Sequence, residues 1–127
     1  MKAPRLTPLE LQIMDILWTR GPSAVREVQE GFPEDSRPAY TTIQTVMYRL
    51  ETKKVARRTR KIGNAHIFET VVSRTQVQRR LVEEFLGLFG GRAEPMMAHL
   101  VDMGELTLDD VRQAERRLQE LQAKGMA

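Results

Sequence analysis

The chain has 127 residues, 41% of them hydrophobic and 29% charged, enough for one domain with a short appendage and too few for an ordinary two-domain enzyme. It has no Cys, which excludes disulfides, thiolate catalysis and Cys-based metal sites, and no apolar run approaches the ~20 residues of a membrane span. The formal net charge of +3 hides a local excess, since six of the nine residues from Lys53 to Lys61 are Lys or Arg.

Thr7-Pro8-Leu9-Glu10 opens a first helix. Thr7 can cap it, Pro8 has its φ already set, and Glu10 completes a capping box. Leu9, Ile13, Ile16 and Leu17 then mark one helical face, and Gly21-Pro22 ends it. Ser23 is expected to cap a short second helix carrying Val25 and Val28, followed by a connection from Gly31 to Pro38.

The third helix, from about Pro38 to Lys53, is the most informative segment. Ile43, Val46, Met47 and Leu50 form its apolar stripe. The other side holds Thr41, Thr42, Gln44, Thr45, Tyr48 and Arg49, where an ordinary surface helix would carry Glu and Lys. Hydroxyls, an amide and a guanidinium can meet base edges and phosphates without burying negative charge. Thr41, Thr42, Gln44 and Thr45 are the candidate base readers, with Gln44 suited to an adenine.

Val55 to Arg60, a turn at Lys61-Ile62-Gly63-Asn64 and a return from Ala65 read as a β-hairpin. Its first strand is nearly half arginine, odd for a buried strand but natural beside a phosphate backbone. Arg57, Arg58, Arg60 and Lys61, supported by Tyr48, Arg49 and Lys53, are the candidate phosphate ligands. A basic run can also be no more than a solvated face. Three helices followed by a basic hairpin is the order of a winged helix-turn-helix, here assigned to residues 1–72.

Residues 73–127 read as a helical association module. Val77, Leu81, Phe85 and Leu88 recur at four, four and three on a fourth helix. A short fifth helix contains Met96, Met97, Leu100 and Val101. Thr107 caps a sixth, on which Val111, Ala114, Leu118 and Leu121 form a seam. Helices of this size are marginal alone, so they either fold back on the first domain or pair with a second copy; pairing is the expectation, because a dimer doubles the DNA contact. Val77, Leu81, Phe85, Leu88, Leu100, Val111, Leu118 and Leu121 are the candidate dimer residues. The fold class is therefore mainly α with a small β-hairpin.

Catalytic readings find no residues to carry them. His66 and His99 form no metal-binding pair, and no nucleophile elbow, phosphate loop or dinucleotide fingerprint occurs, so no enzyme activity, metal or cofactor is expected. A winged-helix protein-interaction module is the alternative, although the hydroxyl-and-amide face suits a groove better than a flat protein surface. The first residues lack the apolar stretch of a secretory signal, and with no Cys a cytoplasmic location is expected.

Leu6-Thr7-Pro8-Leu9-Glu10-Leu11-Gln12-Ile13-Met14, followed by Leu17-Trp18, resembles the opening of the penicillinase-repressor family. Tyr40-Thr41-Thr42-Ile43-Gln44-Thr45-Val46-Met47-Tyr48-Arg49-Leu50 resembles that family's recognition helix. The resemblance implies a homodimeric repressor on an inverted-repeat operator, with Thr41, Thr42, Gln44 and Thr45 facing the major groove. It also implies, as a partner, the membrane sensor whose signal leads to cleavage of some members at an Asn-Phe bond. His99-Leu100 stands at the corresponding place, so simple Asn-Phe proteolysis is not expected here. The Cys-rich copper site of other members has no counterpart.

Overall fold

A computed structural model of the chain describes residues 5–126. Its elements are α1 (Pro8–Arg20), α2 (Val25–Glu30), α3 (Tyr40–Thr52), β1 (Ala56–Ile62), β2 (Ala65–Thr70), α4 (Arg74–Leu88), α5 (Ala93–Asp102) and α6 (Leu108–Ala123). Contacts group the chain into two units, Met1–Val82 and Glu83–Ala127, so the division falls inside α4, downstream of the boundary read at residue 72.

In the first unit, α1 begins on the capping box its sequence encodes. Thr7 Oγ1 accepts from the Glu10 amide at 3.2 Å and Glu10 Oε1 accepts from the Thr7 amide at 2.7 Å. Ile13, Met14 and Leu17 from α1, Val25 and Val28 from α2, and Ile43, Val46, Met47 and Leu50 from α3 share one core with Val55 and Phe68. The stripe on α3 thus fixes which of its sides remains open.

Ser23 does not cap α2. Ala24 holds that position, and Ser23 is buried in a bridge to the hairpin, its amide donating to Phe68 O and its carbonyl accepting from Phe68 N, both at 2.9 Å. A third extended segment beside β2 satisfies backbone groups that a short hairpin would otherwise leave open. The strand therefore wins Ser23 from the helix.

The exit from α3 is tight. Lys54 adopts φ 62, its amide donates to Glu51 O at 3.0 Å, and the Val55 amide donates to Leu50 O at 3.1 Å. This is a Schellman stop whose apolar pair, Leu50 and Val55, is buried. It turns the chain from the third helix straight into the hairpin.

β1 and β2 pair antiparallel and reverse at Gly63-Asn64, where Gly63 takes φ 59. The register slips between Arg58 and Arg60, so Arg58 faces Phe68 while Arg60 faces Ile67. An unbroken strand would put Arg58 and Arg60 on one face. The bulge at Thr59 instead sends them to opposite faces.

The first turns of α4 belong to the first unit. Val77 is 3% exposed and packs in its core, whereas its spacing had suggested a surface for a second chain. The reason lies beside it: Arg74 Nη2 donates to Asp15 Oδ1 at 2.8 Å and Thr19 Oγ1 at 3.0 Å, with its guanidinium 5.5 Å from the Trp18 ring centre. Trp18 Nε1 in turn donates to Val72 O at 3.0 Å. These contacts tie the first turn of α4 to α1 and turn Val77 inward.

In the second unit, Thr107 caps α6 by accepting from the Asp110 amide at 3.1 Å. The Asp110 carboxyl is held below its usual range by hydrogen bonds from the Thr107 amide and hydroxyl. No described residue from 83 to 126 is buried. Phe85 is 53% exposed, Leu118 55% and Leu88 79%, with Val111 also exposed and Leu86, Phe89, Leu100 and Leu121 half-buried.

Candidate nucleic-acid interface

The open side of α3 is set by what lies opposite it. At about 100° per residue, Thr41, Thr45, Tyr48 and Thr52 project away from Ile43, Val46, Met47 and Leu50. All four are exposed, while Thr42 and Arg49 stand on one flank and Gln44 and Glu51 on the other. Thr41, Thr42 and Thr45 are therefore brought together as expected, and Gln44 is half-buried beside them. Tyr48, read from the sequence as a phosphate ligand, stands in the middle of this face. Thr52 is an addition; its spacing of four from Tyr48 was the available signal. Its hydroxyl donates to Tyr48 O at 3.1 Å.

Gln44 is not free. Its Nε2 donates to Tyr48 Oη at 3.1 Å. Between this flank, α2 and the hairpin runs a groove lined by Arg26, Tyr40, Gln44, Tyr48, Asn64 and His66. Arg26 lies 5.9 Å from the Tyr40 ring centre, a second positive group at the edge of the reading face. A lone Arg in a short helix carries no sequence signal for that placement. Asn64 joins the same edge from the hairpin turn.

The cations separate into two groups. Lys53 Nζ contacts Glu10 Oε1 at 2.7 Å and Arg5 O at 3.1 Å. Arg57 Nη2 pairs with Glu69 Oε1 at 2.7 Å, and Arg58 Nε pairs with Glu51 Oε2 at 3.0 Å. Among the described residues, Arg49, Arg60 and Lys61 have no such partner. None of the three would have to release a carboxylate before taking an anion. Arg57 and Glu69 form an exposed pair worth only ~0–1 kcal/mol, so it exchanges readily. Lys53 is different, because Glu10 is fully buried.

Burial pushes the Glu10 carboxyl up, but hydrogen bonds from Lys53 and from the Thr7 amide and hydroxyl, with the charge of Lys53, outweigh it and hold the carboxyl below its usual value. Glu10 Oε2 has no hydrogen-bond partner. A carboxylate in that state keeps hold of its one cation. Lys53 thus anchors the end of α3.

The His99–Leu100 bond lies inside α5, with His99 exposed and its ring centre 5.6 Å from that of Phe89. The His99 carbonyl accepts from Met103 N at 2.9 Å and that of Leu100 from Glu105 N at 2.9 Å. Cleavage there requires the helix to open. No helix among the described residues is long and apolar enough to cross a membrane, and those residues contain no cluster of three His, Asp or Glu able to hold a metal.

A sequence model of the penicillinase repressor family matches residues 6–120. The transcriptional regulator BlaI of Mycobacterium tuberculosis is 32% identical over 125 residues, covering 96% of this chain and 88% of the relative. Two solved structures are similar. One is the monomeric form of Bacillus licheniformis BlaI in complex with the blaP half-operator, at 24% identity and TM-score 0.49 over 59% of this chain and 90% of that one. The other is MepR, a transcription regulator of the Staphylococcus aureus multidrug efflux pump MepA, at 16% identity and TM-score 0.48 over 94% and 79%.

Proposed function

Because the chain belongs to the penicillinase repressor family, a family of transcriptional regulators and not of enzymes, we propose that it represses transcription as a homodimer bound to an inverted-repeat operator. The observation that carries this reading is the exposed row Thr41, Thr45, Tyr48 and Thr52 on α3, flanked by Gln44 and Arg49, in a unit whose hairpin adds Arg60 and Lys61 without carboxylate partners. A major groove ~12 Å wide admits one helix, and short hydroxyls let that helix approach the base edges closely. The one carboxylate on its flank, Glu51, is covered by Arg58, so it does not repel the phosphates.

Dimerisation is supported by the second unit, which buries none of its described side chains. Helices without a core of their own need another surface, and Phe85, Leu88, Leu100, Val111, Leu118 and Leu121 offer one to a second copy. Two copies of α3 would then address two half-sites one turn apart. Release would act on this unit by a route other than Asn-Phe proteolysis, because His99-Leu100 stands at the corresponding place and lies inside α5.

Selection of duplexes from a random pool tests the reading. The full-length protein is expected to enrich an inverted repeat. Failure to enrich any sequence over random DNA, or a monomer at micromolar concentration in sedimentation equilibrium, overturns it.

A further inference from the structure

Arg58 is the natural choice for a phosphate contact, yet its partly exposed guanidinium is engaged within the fold. It stands opposite Phe68 across the ladder, with its guanidinium 4.8 Å from the Tyr48 ring centre and 5.5 Å from that of Phe68. Its Nε is held by both Glu51 oxygens, at 3.2 and 3.0 Å. Phe68 is fully buried and lies 6.4 Å from Tyr48. Tyr48, though itself exposed, is thus wedged between a fixed aromatic ring and a fixed planar cation, and its hydroxyl receives the Gln44 amide.

We propose that Arg58 is a positioning residue, which through Tyr48 sets the orientation of the Gln44 carboxamide and so determines one base-pair preference of α3. The inference rests on the DNA-reading role proposed above. The physical argument concerns the amide's two ends. A glutamine reads adenine by accepting from N6 and donating to N7, and a flipped amide presents these groups in reverse. With Nε2 tied to Tyr48 Oη, its oxygen is directed to the opposite side, and its second N–H stays available for a base. An untethered Gln44 must choose between the two orientations on binding, so part of its discrimination is lost. The tether depends on Tyr48 staying in place, and the Arg58 guanidinium, 4.8 Å from its ring centre and paired with Glu51, is what restrains it. A lysine at position 58 would keep the charge but has no planar, multi-donor head to contact both rings while it pairs with Glu51.

The test uses the full-length protein, its selected duplex and the single-base variants of that duplex. Gln44→Ala first identifies the base pair that Gln44 reads. Arg58→Lys and Tyr48→Phe are each expected to reduce discrimination at that pair by about 10-fold. For Arg58→Lys, discrimination at the other pairs and the dependence of affinity on salt should stay as in the wild type. Tyr48→Phe removes only a hydroxyl, which guards against loss of fold in the arginine variant. Uniform weakening on all duplexes in Arg58→Ala, with wild-type behaviour in Arg58→Lys, would make Arg58 a phosphate ligand and overturn the proposal. If the wild type selects no duplex at all, the DNA-reading role itself fails, a result distinct from either of these.

Discussion

Lys53 at the end of the reading helix donates to Glu10 in the first turn of α1 across 2.7 Å, joining residues 43 apart in the chain. The same carboxylate closes the capping box at Thr7, so one buried group fixes both the start of α1 and the exit of α3. Lys53→Met would strand a buried charge. About 2 kcal/mol of stability should be lost, less than the ~3–5 of a fully buried pair because Lys53 retains some exposure. The pH dependence follows from the depressed Glu10 carboxyl. Its contribution is complete above the unfolded carboxylate value of ~4.3 and lost as pH falls through the lower folded value. Lys53→Met removes the hydrogen bond and charge that hold the carboxyl down, so acid should destabilise the variant less than the wild type. Urea unfolding at pH 7 and about pH 4 checks both statements; parallel losses in the two proteins would refute them.

Salt dependence should count the unpaired cations. If Arg49, Arg60 and Lys61 of each protomer meet phosphates, six contacts give a slope of log K against log salt of about −5. Arg60→Ala removes two contacts per dimer and should flatten the slope by roughly 2, weakening all sequences alike. Fluorescence anisotropy across a salt series measures this. An unchanged slope in Arg60→Ala contradicts the assignment.

Val77 and Phe85 lie on one helix but should fail differently. Val77→Asp places a charge in the core of the first unit and should unfold it. Phe85→Asp, on an exposed position, should leave that unit folded while abolishing the dimer. For the same reason a chain of residues 1–82 should be a stable monomer, whereas one ending at residue 72 should be less stable by ~2–3 kcal/mol through the lost burial of Val77 and the Arg74 contacts. Thermal unfolding and sedimentation separate the cases. Equal stability of the two fragments would be the contrary result.

Lys54 offers a stabilising change. A side chain at φ 62 costs ~1 kcal/mol or more that glycine avoids. Lys54→Gly should raise stability by about 0.5–1 kcal/mol, the gain being reduced by the greater freedom of glycine in the unfolded chain. A lower midpoint in chemical denaturation would show that the lysine contributes elsewhere.

What was legible in the sequence was local. Thr7 with Glu10, Thr107 with its acids, the stripe Ile43-Val46-Met47-Leu50 and the turn at Gly63 each express an interaction within a few residues, where spacing dictates geometry. The polar face of α3 was legible for the same reason, as a helix with one apolar side has its other side decided. Thr52 belongs to that periodicity and could have been read from it.

Residues whose partners lie far along the chain could not be read this way. Four basic residues in one strand looked equivalent, but the bulge at Thr59 and the strand register put Arg58 against Tyr48 and leave Arg60 without a carboxylate. Ser23 looked like a cap until β2 supplied a bridge, and Val77 continued an apolar stripe that the Arg74 contacts divide between two surroundings. The sequence by itself determined most of the elements, the polar face of α3 and the excess of positive charge, because helix periodicity and capping are short-range. Only the tertiary structure decided which cations are already neutralised and which side chains are already held, because a charge is paired by whatever the fold brings within about 3 Å, and periodicity carries no information about that.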